Sequence, residues 1–253
     1  MAPLKGLLVD FGGVLTSNVF ESFQAFCEAE GLTPDRVREA FRNDDAGRRL
    51  LFDLELGRLE EPEFERRFGE LLGLAPERAD GLIERLFGGM RPDRDMEMAV
   101  VMAKRQGVRT GLISNSWGAG RYEVDRFPEL FDGWVISGEE GIRKPDPEIY
   151  ALGAERIGLP PEEIVFVDDL PGNLKPARAM GMTTVHHTTA RRTSRRASPS
   201  RSDGSRGRGW SRRGSRARPC RARGARARPS VRPQSRATSE TACDEPAPGR
   251  RGR

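Results

Sequence analysis

The chain has 253 residues, 36% apolar and 32% charged, which allows one or two domains. Its net charge of +5 averages two opposite parts: residues 190–253 hold 20 Arg against four acids, net +16, which leaves −11 for residues 1–189. No apolar run reaches the roughly 18 residues of a membrane span, the N-terminus lacks a basic segment followed by an apolar stretch, and Cys27, Cys220 and Cys243 have no metal-like spacing. A membrane partner, a signal peptide and a disulfide framework are therefore not expected, and the reducing cytoplasm is the expected compartment.

In chain order, Leu7-Leu8-Val9 is a short apolar run that ends in Asp10-Phe11-Gly12-Gly13. Such runs suit parallel strands buried on both faces. Similar runs recur at 108–113, 134–136, 164–167 and 183–185. Between them lie helical patterns at 94–106, 147–157 and 170–180, the second with Asp146 as N-cap and Pro147 at its first position. Strands that alternate with helices predict an α/β fold with a doubly wound parallel sheet.

Residues 17–90 differ. Phe20, Phe23, Phe26 and Cys27 recur at helical spacing, as do Phe64, Phe68, Leu71 and Leu72, then Leu82, Ile83, Leu86 and Phe87. Thr33-Pro34 and Ala75-Pro76 mark helix starts, and Gly31, Gly73 and Gly88-Gly89 mark ends. This predicts a small all-helical cap inserted after the first strand, with the core formed by residues 1–16 and 91–189. From residue 190 the composition is Arg, Ser, Pro, Gly and Ala, with one Trp, one Val and no Leu, Ile, Met or Phe. Such a tail cannot bury enough apolar surface to fold, so disorder is expected. It lacks Lys and has one aromatic residue, which argues against an evolved nucleic-acid arm. It reads instead as GC-rich DNA translated in a shifted frame.

In a sheet of this kind, chemistry gathers at the carboxyl ends of the strands. Those ends carry Asp10, then Ser114-Asn115, then Lys144 in the loop after the third strand, then Asp168-Asp169. A carboxylate nucleophile, a hydroxyl, an ammonium and a carboxylate pair suit phosphoryl transfer. The nucleophile splits the displacement into two steps, hard oxygens suit magnesium, and Lys144 and Ser114 face the charge that spreads over the phosphoryl oxygens.

These stretches resemble the four motifs of the haloacid dehalogenase superfamily: Leu-Val-Asp-Phe-Gly-Gly-Val-Leu, Leu-Ile-Ser-Asn-Ser, Arg-Lys-Pro-Asp-Pro-Glu-Ile-Tyr and Phe-Val-Asp-Asp-Leu-Pro-Gly-Asn, in that order over residues 4–187. They are similar in particular to the phosphatase-type domain at the N-terminus of soluble epoxide hydrolase. The resemblance implies a magnesium-dependent hydrolase of small phosphate monoesters. Asp10 is then the nucleophile and a metal ligand, with the Gly12 carbonyl and Asp169 as further ligands. Ser114 and Asn115 hold the phosphoryl group. Lys144 neutralises it and ties Asp10 to Asp168, which acts through a water or orients the site, while Asn173 caps or braces the loop that opens the last helix. One position departs: most phosphatases of the superfamily have an acid two residues after the nucleophile, where this chain has Gly12. A glycine cannot shuttle a proton, a service worth about 10²–10⁴ in rate. Two alternatives therefore stay open, a metal-independent dehalogenase and a weakly catalytic phospho-ligand binder. His186-His187 read as structural or surface residues, and Trp117 as a floor of the pocket or packing beneath its loop.

Overall fold

Five short strands form one parallel sheet in the order β3-β2-β1-β4-β5. They are β1 (Gly6–Val9), β2 (Arg109–Ser114), β3 (Gly133–Ile136), β4 (Ile164–Asp168) and β5 (Thr183–His186). The computed structural model describes residues 3–118, 120 and 122–188; the tail expected to be disordered lies outside the described residues.

β1 sits at the centre and is buried at all four positions, which is why it reads as an unbroken apolar run. Val9 stands level with Leu112 of β2 on one side and with Val167 of β4 on the other. Successive side chains alternate between two cores. Leu7 and Val9 join Leu112, Val165 and Val167 on one face, against Met96, Val100 and Phe127. Leu8 joins Ile113 and Phe166 on the other, against Ile149, Tyr150, Ile157 and Leu174.

Between β1 and β2 come α1 (Val19–Ala29), α2 (Arg36–Asn43), α3 (Asp45–Glu55), α4 (Glu61–Leu72), α5 (Leu82–Phe87) and α6 (Arg94–Arg105). The first five share a core of their own around Phe23, Phe26, Leu54, Phe64, Phe68 and Leu86. The chain enters and leaves this helical cap through two adjacent strands of backbone. The Ser17 N–H donates to the Arg91 carbonyl at 2.7 Å and the Asp93 N–H to the Leu15 carbonyl at 2.8 Å. Helices α7 (Phe127–Leu130), α8 (Ser137–Glu140), α9 (Pro147–Ile157) and α10 (Pro171–Ala179) complete the described residues. With α6 and α7 over one face of the sheet and α9 and α10 over the other, the fold is the doubly wound α/β architecture with an inserted helical cap.

Local chemistry explains where the sequence expectations shift. Helix α3 had no strong apolar announcement. It starts at Asp44, whose carboxylate accepts from the N–H groups of Ala46 and Gly47 at 2.8 and 3.1 Å. Ala75-Pro76 opens only a 3₁₀ turn, Pro76–Arg78, and α5 proper begins six residues later. Asp146 occupies the N-cap position of α9 but its side chain makes no capping bond; the fixed φ of Pro147 suffices to start the helix. The last helix is shorter than expected, because Leu170 sits outside it as an extended, part-exposed residue.

Candidate active site

The strand order reverses between β1 and β4, so the crevice above their carboxyl ends is the natural place for a site. Asp10 is the first residue past β1, and its N–H donates to the Val167 carbonyl at 2.9 Å. This continues the sheet register and sets Asp10 beside Asp168, the last residue of β4. Both carboxylates are buried, and buried charge needs a partner. Lys144 supplies it. Its Nζ lies 2.7 Å from Asp10 Oδ1 and 2.8 Å from Asp168 Oδ2, with only 1% of the side chain exposed.

Each carboxylate is further oriented. Asp10 Oδ1 accepts from the Phe11 N–H at 2.7 Å. Asp168 accepts from the Leu170 N–H at 2.8 Å and from Asn173 Nδ2, which lies 3.1 Å from both oxygens. Asn173 is itself pinned, since its carbonyl accepts from the buried Tyr150 hydroxyl at 2.7 Å. Asp169 occupies the space above Gly13. A Cβ at Gly13 would stand 2.3 Å from Asp169 Oδ2, and the backbone there has φ +73°, so glycine is required twice over.

Asp10, Asp168 and Asp169 each offer an oxygen within 4.8 Å of the others. Three carboxylates face one ammonium, and the electrostatics register that imbalance. Burial pushes the Asp10 carboxyl up to about 8; Lys144 pulls against this, and the nearby Asp168 and Asp169 add to it. Burial, then Asp168, pushes Asp169 up to about 6. Burial alone would lower Lys144, but the two carboxylates outweigh it and hold the ammonium above its usual range. A cluster of hard oxygens short of positive charge, cradled over a glycine, fits a magnesium ion.

The second strand end behaves less simply. Ser114 Oγ lies 2.9 Å from the Tyr122 hydroxyl, and burial first of all raises that phenol above its usual range. Asn115 turns its side chain onto the Lys144 peptide: Oδ1 accepts from the Lys144 N–H at 2.8 Å and Nδ2 donates to its carbonyl at 3.1 Å. Asp10, Lys144, Asp168, Asp169 and Asn173 are thus joined in one bonded or close-packed group, with Asn115 behind Lys144 and Ser114 paired to Tyr122. Gly12 lies in the turn after β1, and a Cβ there would meet a Val19 methyl at 3.2 Å.

Three residues escaped the sequence reading. Tyr122 had no motif. Arg143 stood beside Lys144 without a role. Glu55, at the end of α3, is 5% exposed and reaches out of the cap to Arg143 at 2.6 Å. Its only sequence signal was an acid just before Gly57. Trp117, which follows the second motif, is partly buried and packs against the cap. Its indole enters the cap core, with ring centroids 5.0 Å from Phe87, 5.5 Å from Phe41 and 5.8 Å from Phe23. His186 Nε2 lies 2.9 Å from the Asp169 carbonyl, and His187 is buried, its N–H bonded to the Asp168 carbonyl at 2.9 Å.

Residues 4–181 match the family model of haloacid dehalogenase-like hydrolases. The chain belongs to that family. This hydrolase is 31% identical over 137 residues to the sesquiterpene phosphatase astK of Aspergillus oryzae, a match that takes in 53% of this chain and 70% of that protein. It is 35% identical over 105 residues to bifunctional epoxide hydrolase 2 of Mus musculus, but there the match takes in 38% of this chain and only 19% of the larger protein. Among solved structures, a haloacid dehalogenase family enzyme from Bacteroides thetaiotaomicron, crystallised with magnesium and inorganic phosphate, shares the fold. Its TM-score is 0.53 at 23% identity, over 73% of this chain and 94% of that one. Among the described residues no helix is long and apolar enough to cross a membrane.

Proposed function

We propose that this hydrolase is a magnesium-dependent phosphatase of small phosphate monoesters that works through an aspartyl-phosphate on Asp10. The observation that carries the reading is the Lys144 ammonium bonded to both Asp10 and Asp168 inside a three-carboxylate cluster. A dehalogenase attacking an uncharged carbon–halogen bond has no need of such a concentration of negative charge. A phosphatase does, because a divalent cation lets anion meet anion.

Asp10, the Gly12 carbonyl and Asp169 would hold magnesium, with Asp168 supporting through its bond to Lys144. When bound, the ion screens the substrate phosphate and neutralises charge on its oxygens. The chain's own residues do the rest. The Asp10 carboxylate attacks phosphorus in line with the ester oxygen, the phosphorus–oxygen bond breaks, the departing alkoxide takes a proton from solvent, and the phosphoryl group rests on Asp10. Water then attacks phosphorus and releases inorganic phosphate, which restores the carboxylate. Lys144 stays charged throughout and faces the phosphoryl oxygens. The Ser114 hydroxyl, oriented by Tyr122, donates to them. Asn115 holds the Lys144 backbone so that the ammonium does not drift.

No side chain at Gly12 protonates the leaving alcohol, so substrates with good leaving groups should turn over fastest. The cap opens for substrate and closes to exclude water, and it sets specificity. The cytoplasm, on the cysteine pattern, remains the compartment we propose, and the tail remains assigned to a shifted reading frame. Translation of the coding DNA in the other two frames tests that assignment; if neither gives an amphipathic helix rich in Leu and Glu, it fails. The phosphatase reading is tested by a panel of phosphate monoesters, with magnesium and with excess chelator. Turnover that requires magnesium supports it, and hydrolysis that survives the chelator overturns it.

A further inference from the structure

Within the phosphatase reading, on which it rests, we propose that Glu55 is a positioning residue. From the cap it fixes the loop that carries Lys144, so the seating of the cap and the placement of the ammonium are one event.

Glu55 is the last residue of α3, on the cap, yet its partners all lie on the core. Its Oε2 accepts from Arg143 Nε at 2.6 Å and, at 3.4 Å, from Asn115 Nδ2; Arg143 Nη2 lies 2.6 Å from the same oxygen. Its carbonyl accepts from the buried Ser137 hydroxyl, which in turn accepts from the Ser116 N–H at 2.7 Å. Two residues on, Gly57 has φ +66°, and a Cβ there would stand 2.3 Å from the Gly138 carbonyl oxygen, so the two backbones touch. One turn earlier on α3, the Phe52 ring lies beneath the Arg143 guanidinium at 3.9 Å. The end of α3 therefore grips Arg143 by its edge and its face together.

This grip leads to Lys144 by two routes. Arg143 is its neighbour in the chain. Asn115, which donates to Glu55, also takes both the N–H and the carbonyl of Lys144. The Lys144 side chain then runs to Asp10 and Asp168. An apolar contact would hold the cap as well, but with little sense of direction. A buried carboxylate satisfied only by core groups holds it in one place, because any other seating leaves Glu55 and Arg143 desolvated without each other. Opening to admit substrate frees the pair into water, and closure rebuilds it.

The test uses the full-length protein with Glu55→Ala and Glu55→Gln, and Glu39→Gln on the exposed face of α2 as control. Steady-state kinetics on an aryl phosphate with magnesium are read beside melting temperature. Magnesium-dependent binding of tungstate, a phosphate analogue, is followed by calorimetry. Glu55→Ala should lower kcat by about 10²-fold, the loss expected from a misplacement on the order of 1 Å, and raise KM by no more than about tenfold. Tungstate affinity should fall about tenfold (roughly 1.4 kcal/mol). Glu55→Gln, which keeps an acceptor oxygen, should lose less, and it carries the test if the alanine variant fails to fold. The proposal is overturned if folded variants keep kcat and tungstate affinity within about twofold of the parent, where measurement scatter ends, and only the melting temperature moves. If the parent turns over no phosphate ester, the phosphatase reading falls and tungstate affinity alone decides the role of Glu55. A parent that neither turns over an ester nor binds tungstate overturns both.

Discussion

Replacing Asp10 with asparagine should abolish turnover and, in the absence of magnesium, stabilise the protein. In the folded state the Asp10 carboxyl is pushed from 3.8 up to about 8, chiefly by burial. A carboxyl raised in this way keeps its proton in the folded protein at a pH where the unfolded chain has released it. Folding then takes up protons, and stability falls as pH climbs through that window. At about 1.4 kcal/mol per unit, the whole window amounts to roughly 6 kcal/mol. The neutral amide removes that penalty, in which the pull of Lys144 on Asp10 is already counted, since the raised value is what burial leaves after Lys144 has lowered it. The asparagine variant should therefore melt several degrees above the parent near pH 8, since each kcal/mol moves Tm by about 2–4 °C in a domain of this size. The difference should shrink toward pH 5, where the parent's Asp10 is protonated, and it should shrink again when magnesium is added, since the ion stabilises only the parent. Differential scanning calorimetry of both proteins from pH 5 to 8, with and without magnesium, measures it. An asparagine variant less stable than the parent at every pH without metal would refute the reasoning, for it would mean that Lys144 alone balances the buried charge.

Lys144→Met should cut kcat by about 10³-fold, the scale of a lost electrostatic contact in the transition state. It should also tighten magnesium binding, because a competing cation has left the carboxylates; calorimetric titration of magnesium reads the second effect. Gly13→Ala drives a methyl into the Asp169 carboxylate. We expect it to abolish magnesium activation while far-ultraviolet circular dichroism stays that of the parent. Trp117→Ala empties the centre of the cap's aromatic cluster and should cost about 3–5 kcal/mol in urea unfolding. Its kinetic effect should fall on KM more than on kcat, as the cap loosens around substrate.

The core was legible because buried parallel strands are short apolar runs that stop at a polar residue, and Asp10, Ser114 and Asp168 are those stops. The carboxylates and Lys144 could be read for a related reason: each lies at or just beyond a strand end. What escaped were groups whose meaning is set by distant parts of the chain. Asn115 lies at a strand end, but its side chain is taken by a peptide 29 positions away. Glu55 reads as an ordinary acid on a polar helix until α3 is folded against Arg143, 88 positions on. Trp117 belongs to the core by sequence and to the cap by packing. Asp146 had the residue type and place of a cap, yet backbone geometry set by Pro147 made its side chain unnecessary.

The most direct test of the central claim is to catch the intermediate. The full-length protein is mixed with an aryl phosphate and magnesium, quenched in acid during turnover, digested, and its peptides weighed by mass spectrometry. The account predicts a phosphoryl adduct on Asp10 that is absent in chelator and absent from Asp10→Asn. Turnover with no adduct on Asp10, or an adduct at another residue, would contradict it.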